Sequence, residues 1–266
     1  MSKPMSQRVR PLNDDECLHY RDEFRAARYA ALADAESFSE ICFALESLGI
    51  RLLGRQGDLG AYETLIEAYA LQSPIFKHIA KNSRSYFKSF DALYRIVRKA
   101  RNDAMHTGAY ARHATEAAIE LCIGLEDALM IGVKQTVGNV MVKSPIVVES
   151  WQLVVHARQL MLMHSFSFLP VRFQGDWWLV SEVGIAKFLN SNNGTVKRQR
   201  LGMSIEESKG GLELIKIPSE QLLSINHSIE EVLCNAQVKE GRTLWLVVDQ
   251  ERPDHLAGVL SPFELM

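Results

Sequence analysis

The second half of this 266-residue chain repeats one order of elements at a nearly constant offset, and that repetition constrains its fold most. The first copy opens on the β-branched run Ile146-Val147-Val148. A helix is expected from Ser150 with Leu153, Val154, Ala157, Leu160 and Met161 inward. Strands Phe168–Phe173 and Trp177–Val180 follow, and a short helix starts at Ser181. In the second copy Leu222–Ile225 reads as a strand, and Ser228-x-x-Glu231 is a capping box opening a helix with Ile229, Val232, Leu233 and Ala236 inward. Strands Leu244–Val248 and Ala257–Leu260 then lead to Ser261-Pro262 at a helix start. Ser150 matches Ser228, Pro170 matches Leu246, and Ser181 matches Ser261. One β-α-β-β-α unit is used twice. Residues 191–218, with Asn192-Asn193-Gly194 and Gly210-Gly211, read as a polar connection between copies.

The stretch before the repeats, 1–135, has a different texture, helical throughout. Beyond Pro4 and Pro11 its one proline is Pro74, and Ser73-Pro74 suits an N-cap followed by the first helical position. Ser37-x-x-Glu40 is a capping box opening a helix with Phe38, Ile41, Cys42, Leu45 and Leu48 on one stripe, and Gly54–Gly60 breaks it. A second helix is expected to carry Tyr86, Phe87, Phe90, Tyr94 and Val97 inward. A third, from about Tyr110 to Lys134, carries Ala114, Ala117, Leu121, Leu125 and Leu129. A bundle of four to six helices results.

A net charge of −2 conceals an asymmetry. Residues 77–112 hold nine Lys/Arg against Asp91 and Asp103, a local +7 that leaves −9 elsewhere. Such a zone points to a polyanionic partner or, more blandly, to a solvated helix face. Cys17, Cys42, Cys122 and Cys234 are scattered with no C-x-x-C and no metal-ligand spacing, as expected of reduced residues in a cytoplasmic protein. Met1 to Arg10 lack the apolar core of a signal peptide, and no apolar run approaches the ~20 residues of a membrane span. There is no Gly-rich phosphate loop and no G-x-S-x-G elbow. His19, His78 and His113 read as surface residues, and His156 and His164 as rim residues of the first repeat.

Chemistry concentrates in Arg101-Asn102-Asp103-Ala104-Met105-His106, between two long helices. A guanidinium binds phosphate through two parallel hydrogen bonds, and imidazole moves protons near neutral pH. A spacing of four puts Asn102 and His106 on one helical face. Arg101 lies roughly 100° round from Asn102, with a side chain long enough to reach the same phosphate. The structural alternative for Arg101 and His106 is an inter-helix salt link or a helix cap.

The repeated half resembles a tandem pair of CBS domains, a Bateman module. The resemblance rests on the run Val137 to Val148, on Phe168-Leu169-Pro170-Val171, and on Gly258-Val259-Leu260-Ser261-Pro262-Phe263-Glu264. The last matches the family pattern of Gly, two residues, Thr/Ser, two residues, acid. The resemblance implies that Ser261 and Glu264, with Gly258, meet the phosphate and ribose of an adenine nucleotide of AMP or ATP type. The chemistry is sensible: a hydroxyl at a helix start sits among free N–H groups, and a carboxylate accepts ribose hydroxyls. In the first copy Trp178 replaces the Gly and Gly184 stands in place of the acid, leaving Ser181.

The helical half is similar to a HEPN domain, whose ribonuclease members carry R-x4–6-H with a polar residue directly after the Arg. Arg101, Asn102 and His106 match residue for residue. The resemblance implies a homodimer that cleaves RNA without a metal or other cofactor, through the ribose 2′-hydroxyl. Arg95, Arg98, Lys99 and Arg112 would supply RNA contacts. The Tyr two residues after the His in a toxin subgroup is absent, since Gly108 stands there.

The expected architecture is therefore α + α/β: an all-helical HEPN-like bundle over residues 1–135, then CBS repeats over 136–190 and 219–266. The expected function is a cytoplasmic, metal-independent endoribonuclease in defence or stress, forming a homodimer or higher homo-oligomer and gated by an adenine nucleotide. A non-catalytic nucleotide sensor or dimerisation scaffold, whose helical domain binds a partner, stays open beside it.

Overall fold

A computed structural model of the chain describes residues 11–83, 86–103, 111–235, 244–249, 251–252 and 255–266. The chain divides between residues 133 and 134 into two compact units.

The first unit is helical. α1 (Asp14–Ala33) starts at a complete capping box, in which the Asn13 side chain accepts from the Glu16 N–H and the Glu16 carboxylate accepts from the Asn13 N–H. α2 (Phe38–Leu53) follows a 3-10 turn at Ala35–Ser37. That turn carries Ser37 into φ −74°, ψ 10°, so its side chain makes no cap bond and the expected Ser37/Glu40 box does not form. Gly54, in the left-handed region at φ 73°, ends the helix. α3 (Leu59–Ala70) starts where the Asp58 carboxylate accepts from the Ala61 N–H.

Ser73-Pro74 leads into a single π turn, Ile75–Ile79, continued by the short α4 (Ala80–Asn82). α5 (Phe90–Asp103) and α6 (Ala111–Met130) complete the bundle. Phe90, Tyr94 and Val97 are buried as expected, whereas Tyr86 and Phe87 stand 86% and 46% exposed. The Ser89 hydroxyl accepts from the Ala92 N–H, so α5 begins after those two aromatics and cannot turn them inward.

The core between the helices is closed by Phe24, Ile41, Leu45, Leu48, Tyr62, Ile66, Tyr94, Leu121 and Leu125, all without solvent contact. Each such side chain contributes roughly 1.5–3 kcal/mol. Polar groups that reach inside find partners there. Tyr94 donates its hydroxyl to the Leu59 carbonyl at 2.7 Å, and Ser73 donates to Asp127 at 2.5 Å. Arg28 holds Glu126 with two hydrogen bonds of 2.7 and 3.0 Å.

The second unit is built from two sheets. It starts with α7 (Val137–Val140) and β1 (Val142–Lys143), then α8 (Val154–His164), β2 (Phe168–Phe173), β3 (Asp176–Ser181) and α9 (Glu182–Leu189). α10 (Gly194–Leu201) and β4 (Ile215–Ile217) precede β5 (Leu223–Ser224), α11 (Ile229–Asn235), β6 (Trp245–Val248), β7 (Leu256–Leu260) and a 3-10 turn at Pro262–Leu265. Three expectations are corrected. The run at Ile146–Val148 is reduced to one parallel bridge, Val148 with Val171. The helix expected from Ser150 starts at Val154, because the carbonyls of Ser150 and Gln152 accept from Glu206 and Ile205. Residues 191–218 are not a bare connection, since they hold α10 and β4.

β4 decides the topology. It pairs antiparallel with β3, Trp178 opposite Lys216, and so completes the sheet of the first repeat with a strand that precedes the second. Reciprocally, β1 precedes the first repeat and pairs with β7, Val142 opposite Val259 and Lys143 opposite Gly258. The sheets run β2-β3-β4 and β1-β7-β6-β5. Alternation along β3 then serves two cores. Trp177 and Leu179 join Ile217, Leu246, Val248 and Leu256 in a core shared by both sheets. Val180, with the half-buried Trp178, packs instead among Val154, Ala157 and Met161 of α8 and Ile185 and Leu189 of α9.

The exchanged strand depends on Gly258. A Cβ there would stand 2.5 Å from the Met141 sulfur and 2.8 Å from the Val142 carbonyl oxygen. Gly258→Ala should therefore destabilise the protein by about 1–3 kcal/mol, whereas Gly194→Ala, with no atom within 4 Å of the added carbon, should change the melting temperature little. Equal melting temperatures for Gly258→Ala and wild type would refute this packing.

Burial also sets thiol reactivity. It pushes Cys42 up to about 12 and Cys122 well above the ordinary thiol value, whereas Cys234 is exposed. Iodoacetamide at pH 8 should modify Cys234 and spare Cys42 and Cys122 until the chain is unfolded, as peptide mass mapping would show. Modification of Cys42 as fast as Cys234 in the native protein would contradict a closed helical core.

Candidate functional site

Arg101 and Asn102 lie in the last turn of α5, both exposed at its surface. His106 lies outside the described residues, so the structure does not place it beside them. Arg101 faces α2, where its Nη2 stands 2.5 Å from Oε1 of Glu46. The contact is one of charge to charge, because that oxygen is buried and receives no aligned hydrogen bond among the described residues. Burial dominates the raised pKa of Cys42, one turn before Glu46; the Arg101 guanidinium opposes that rise and the Glu46 carboxylate adds to it.

The pattern recurs along α5. Arg98 donates to Glu63 of α3 at 2.5 Å, Arg95 pairs with Asp91 at 2.6 Å on its own helix, and Lys88 reaches Glu120 of α6 at 3.2 Å. Four cations of the basic zone thus carry carboxylate partners, two of which come from α2 and α3. Lys99 is exposed. Arg112 occupies the second position of α6, and its side chain lies outside the described residues. The net field along α5 is accordingly weaker than the run of residues 77–112 suggests. A linear count of charge misses Glu46 and Glu63, the acids that bear on this site. The one signal for Glu46 was an acid on the otherwise apolar stripe of Cys42, Leu45 and Leu48.

The second candidate site lies where β7 meets the 3-10 turn. Ser261 is the N-cap: its hydroxyl accepts from the Phe263 N–H at 3.3 Å and donates to Glu264 at 2.6 Å. The Glu264 carboxylate also accepts from the Ser261 N–H at 2.8 Å. Gly258 lies on β7, opposite Lys143 of the exchanged β1. A small-residue strand, a hydroxyl at a helical start and a carboxylate one turn on are therefore brought together, with the Ser261–Glu264 box holding the acid.

The first repeat has the same frame with different contents. Ser181 caps α9 by accepting from the Gly184 N–H at 2.9 Å. At Gly184 a Cβ would lie 2.2 Å from the Leu212 carbonyl oxygen. The segment leading into β4 fills the place where an acidic side chain would project, so the first repeat cannot present the carboxylate that the second presents. Trp178, at the position matching Gly258, lies beneath the ammonium of Lys209, 4.2 Å from its ring.

Among the described residues no group of His, Cys, Asp and Glu is arranged to hold a metal ion, and no helix is long and apolar enough to cross a membrane.

No protein-family model and no curated protein sequence matches the chain. Solved structures are similar to about half of it. A CBS domain-containing protein of unknown function from Bacillus anthracis is 16% identical, over 49% of this chain and 88% of that one, with a TM-score of 0.37. The CBS-pair protein CBSX2 from Arabidopsis thaliana is 17% identical, over 50% of this chain and 92% of that one, with a TM-score of 0.36. The CBS domain pair of protein MJ0100, in complex with 5′-methylthioadenosine and S-adenosyl-L-methionine, is 19% identical, over 49% of this chain and 96% of that one, with a TM-score of 0.37.

Proposed function

We propose that residues 134–266 form a CBS pair that senses an adenine nucleotide at the second repeat, and that the helical unit is a HEPN-type endoribonuclease under its control. The observation that carries the sensing half is the meeting of Gly258, Ser261 and Glu264 beside the exchanged β1. Phosphate oxygens suit the Ser261 hydroxyl, and ribose hydroxyls suit the Glu264 carboxylate. The closed place at Gly184 supports one nucleotide per chain.

In the helical half, the exposure of Arg101 and Asn102 at the end of α5 supports a phosphodiester site. The ribose 2′-oxygen attacks phosphorus as its proton leaves, the bond from phosphorus to the 5′-oxygen breaks, and that oxygen takes up a proton. The products are a 2′,3′-cyclic phosphate and a 5′-hydroxyl. Arg101 stabilises the charge gathering on the phosphoryl oxygens, His106 moves protons, and Asn102 orients the two. Two copies of the site meet in a homodimer, and the nucleotide biases how they face, a coupling of about 1–3 kcal/mol. Arg98, Lys99, Arg95 and Arg112 guide the RNA in this cytoplasmic protein, and a defence or stress role follows from the domain pairing.

A second reading has an observation in its favour. Arg95, Arg98 and Arg101 already hold Asp91, Glu63 and Glu46, as a structural helix face would. On that reading the helical unit binds a partner and cuts nothing.

Single-stranded RNA incubated with the full chain in EDTA separates the two. Wild type should produce 2′,3′-cyclic phosphate ends, and His106→Ala and Arg101→Ala should each lose at least about a hundredfold in rate. Equal inertness of all three, with and without AMP, leaves the scaffold. For the sensing half, calorimetry with AMP should give one site per chain, weakened about tenfold or more in Ser261→Ala; unchanged affinity in that variant would remove Ser261 from the site.

A further inference from the structure

On the helix-covered side of the first repeat, α8, α9 and α10 line an open cavity of about 860 Å³, within the range that takes a small organic ligand. Its wall is apolar: Met161, Ile185 and Leu189 are buried core residues, and Phe166 adds a ring. Its cations come from three separate elements, Arg158 on α8, Lys187 on α9 and Lys197 on α10, against one lining acid, Glu182. Lys187 is held by Glu213 at 2.7 Å. Arg158 and Lys197 are exposed and have no carboxylate partner among the described residues. In a chain of net charge −2, this convergence of positive charge on an apolar wall is a local departure.

A backbone observation falls at the same place. Ser165, which also lines the cavity, ends α8 in the left-handed region at φ 55°, ψ 38°, with its N–H on the Met161 carbonyl. A residue bearing a Cβ holds that conformation at a cost that glycine would avoid, and here a hydroxyl is kept instead.

We propose that this cavity binds a phosphorylated small molecule with an apolar or aromatic body. A single carboxylate would be satisfied by one cation. Two cations without a carboxylate partner among the described residues, Arg158 and Lys197, from two elements, with Lys187 beside them on Glu213, suit the two or more charges and the several oxygens of a phosphate group. Met161, Ile185, Leu189 and Phe166 would cover the body, and Glu182 would accept from its hydroxyl or amino groups. None of Ser181, Gly258, Ser261 or Glu264 lines this cavity, so the site is separate from the one proposed for the nucleotide, and neither proposal depends on the other.

The test uses the full chain with the fluorescent aryl phosphate 4-methylumbelliferyl phosphate, its parent 4-methylumbelliferone, and inorganic pyrophosphate, in equilibrium dialysis. Light scattering follows the oligomeric state of each variant. The aryl phosphate should bind saturably at one site per chain, and the parent and pyrophosphate should each bind at least tenfold more weakly. Arg158→Glu and Lys197→Glu should each weaken binding at least tenfold. Ala186→Trp, placed in the lining on an exposed position, should abolish it while the melting temperature is kept. The proposal is overturned by absence of saturable binding to wild type, by affinity that all three substitutions leave unchanged, or by equal binding of the parent. It is also overturned if Ala186→Trp dissociates an oligomer without changing aryl phosphate binding, which would make the cavity a contact between copies of the chain.

Discussion

The pairing of β1 with β7 and of β4 with β3 is the constraint on which the second unit depends. Neither repeat owns all of its sheet, and each takes an edge strand from the segment that precedes the other. An edge strand left unpaired exposes a row of backbone donors and acceptors, so the exchange covers in each sheet an edge that the single repeat would leave open. It also places Ile217 beside Trp177 and Leu179, and these pack with Leu246, Val248 and Leu256 into one shared core. Separating the repeats would break both pairings and expose that core. The unit is therefore one folding entity although its sequence reads as two copies.

Much of this was legible in the residues, and the part that was not has a definite cause. Longer strands such as Leu256–Leu260, whose burial alternates, and the N-caps at Ser181, Ser228 and Ser261, stand in the sequence because period-2 burial and capping chemistry need specific residue types at fixed spacing. The exchange did not show, because β1 has two residues and β4 three, too short for alternation to register. Ile215 and Ile217 lie in a stretch read as connection on account of its glycines and asparagines. Tyr86 and Phe87 misled for the opposite reason. They continue the helical period of α5 backwards past Ser89, and the backbone stops at the cap rather than at the end of the pattern. Ser37 and Glu40 satisfy the motif for a box that a preceding 3-10 turn leaves no room to close.

The candidate sites divide in the same way. Ser261 and Glu264 could be found because both lie in one short motif, and the box that joins them is local. The setting of Arg101 could not be, since its partner Glu46 lies three helices earlier in the chain, on α2, and was hidden in an apolar stripe. Arg98 and Glu63 repeat the lesson between α5 and α3. A basic run read along the chain sums only its own charges, whereas the folded bundle brings acids from other helices against it. The same blindness conceals the cluster of Arg158, Lys187 and Lys197, whose members come from three successive helices of the second unit.

The proposed control of the helical unit requires a physical route, and the covalent chain supplies one. β1 starts at Val142, a short way after α6 ends at Met130. The intervening segment is fastened to the start of the second repeat: the Val137 N–H donates to the His227 carbonyl, the Gly138 N–H to the Ile225 carbonyl, and Thr136 bridges to Ser228. Val137 and Val140 are buried there. A ligand beside Gly258 would touch the strand at one end of this segment, and the residues at its other end lead directly into α6. Binding can shift a conformational equilibrium only by its difference in affinity between two states. Here the difference would arise from how closely β1 lies against β7, where Met141 and Val142 already approach Gly258 within contact distance. The first repeat lacks the carboxylate at its matching place, because Leu212 of its own connecting segment fills the space beside Gly184. The nucleotide proposed beside Gly258 would act first on β1, the strand that the covalent chain connects to α6.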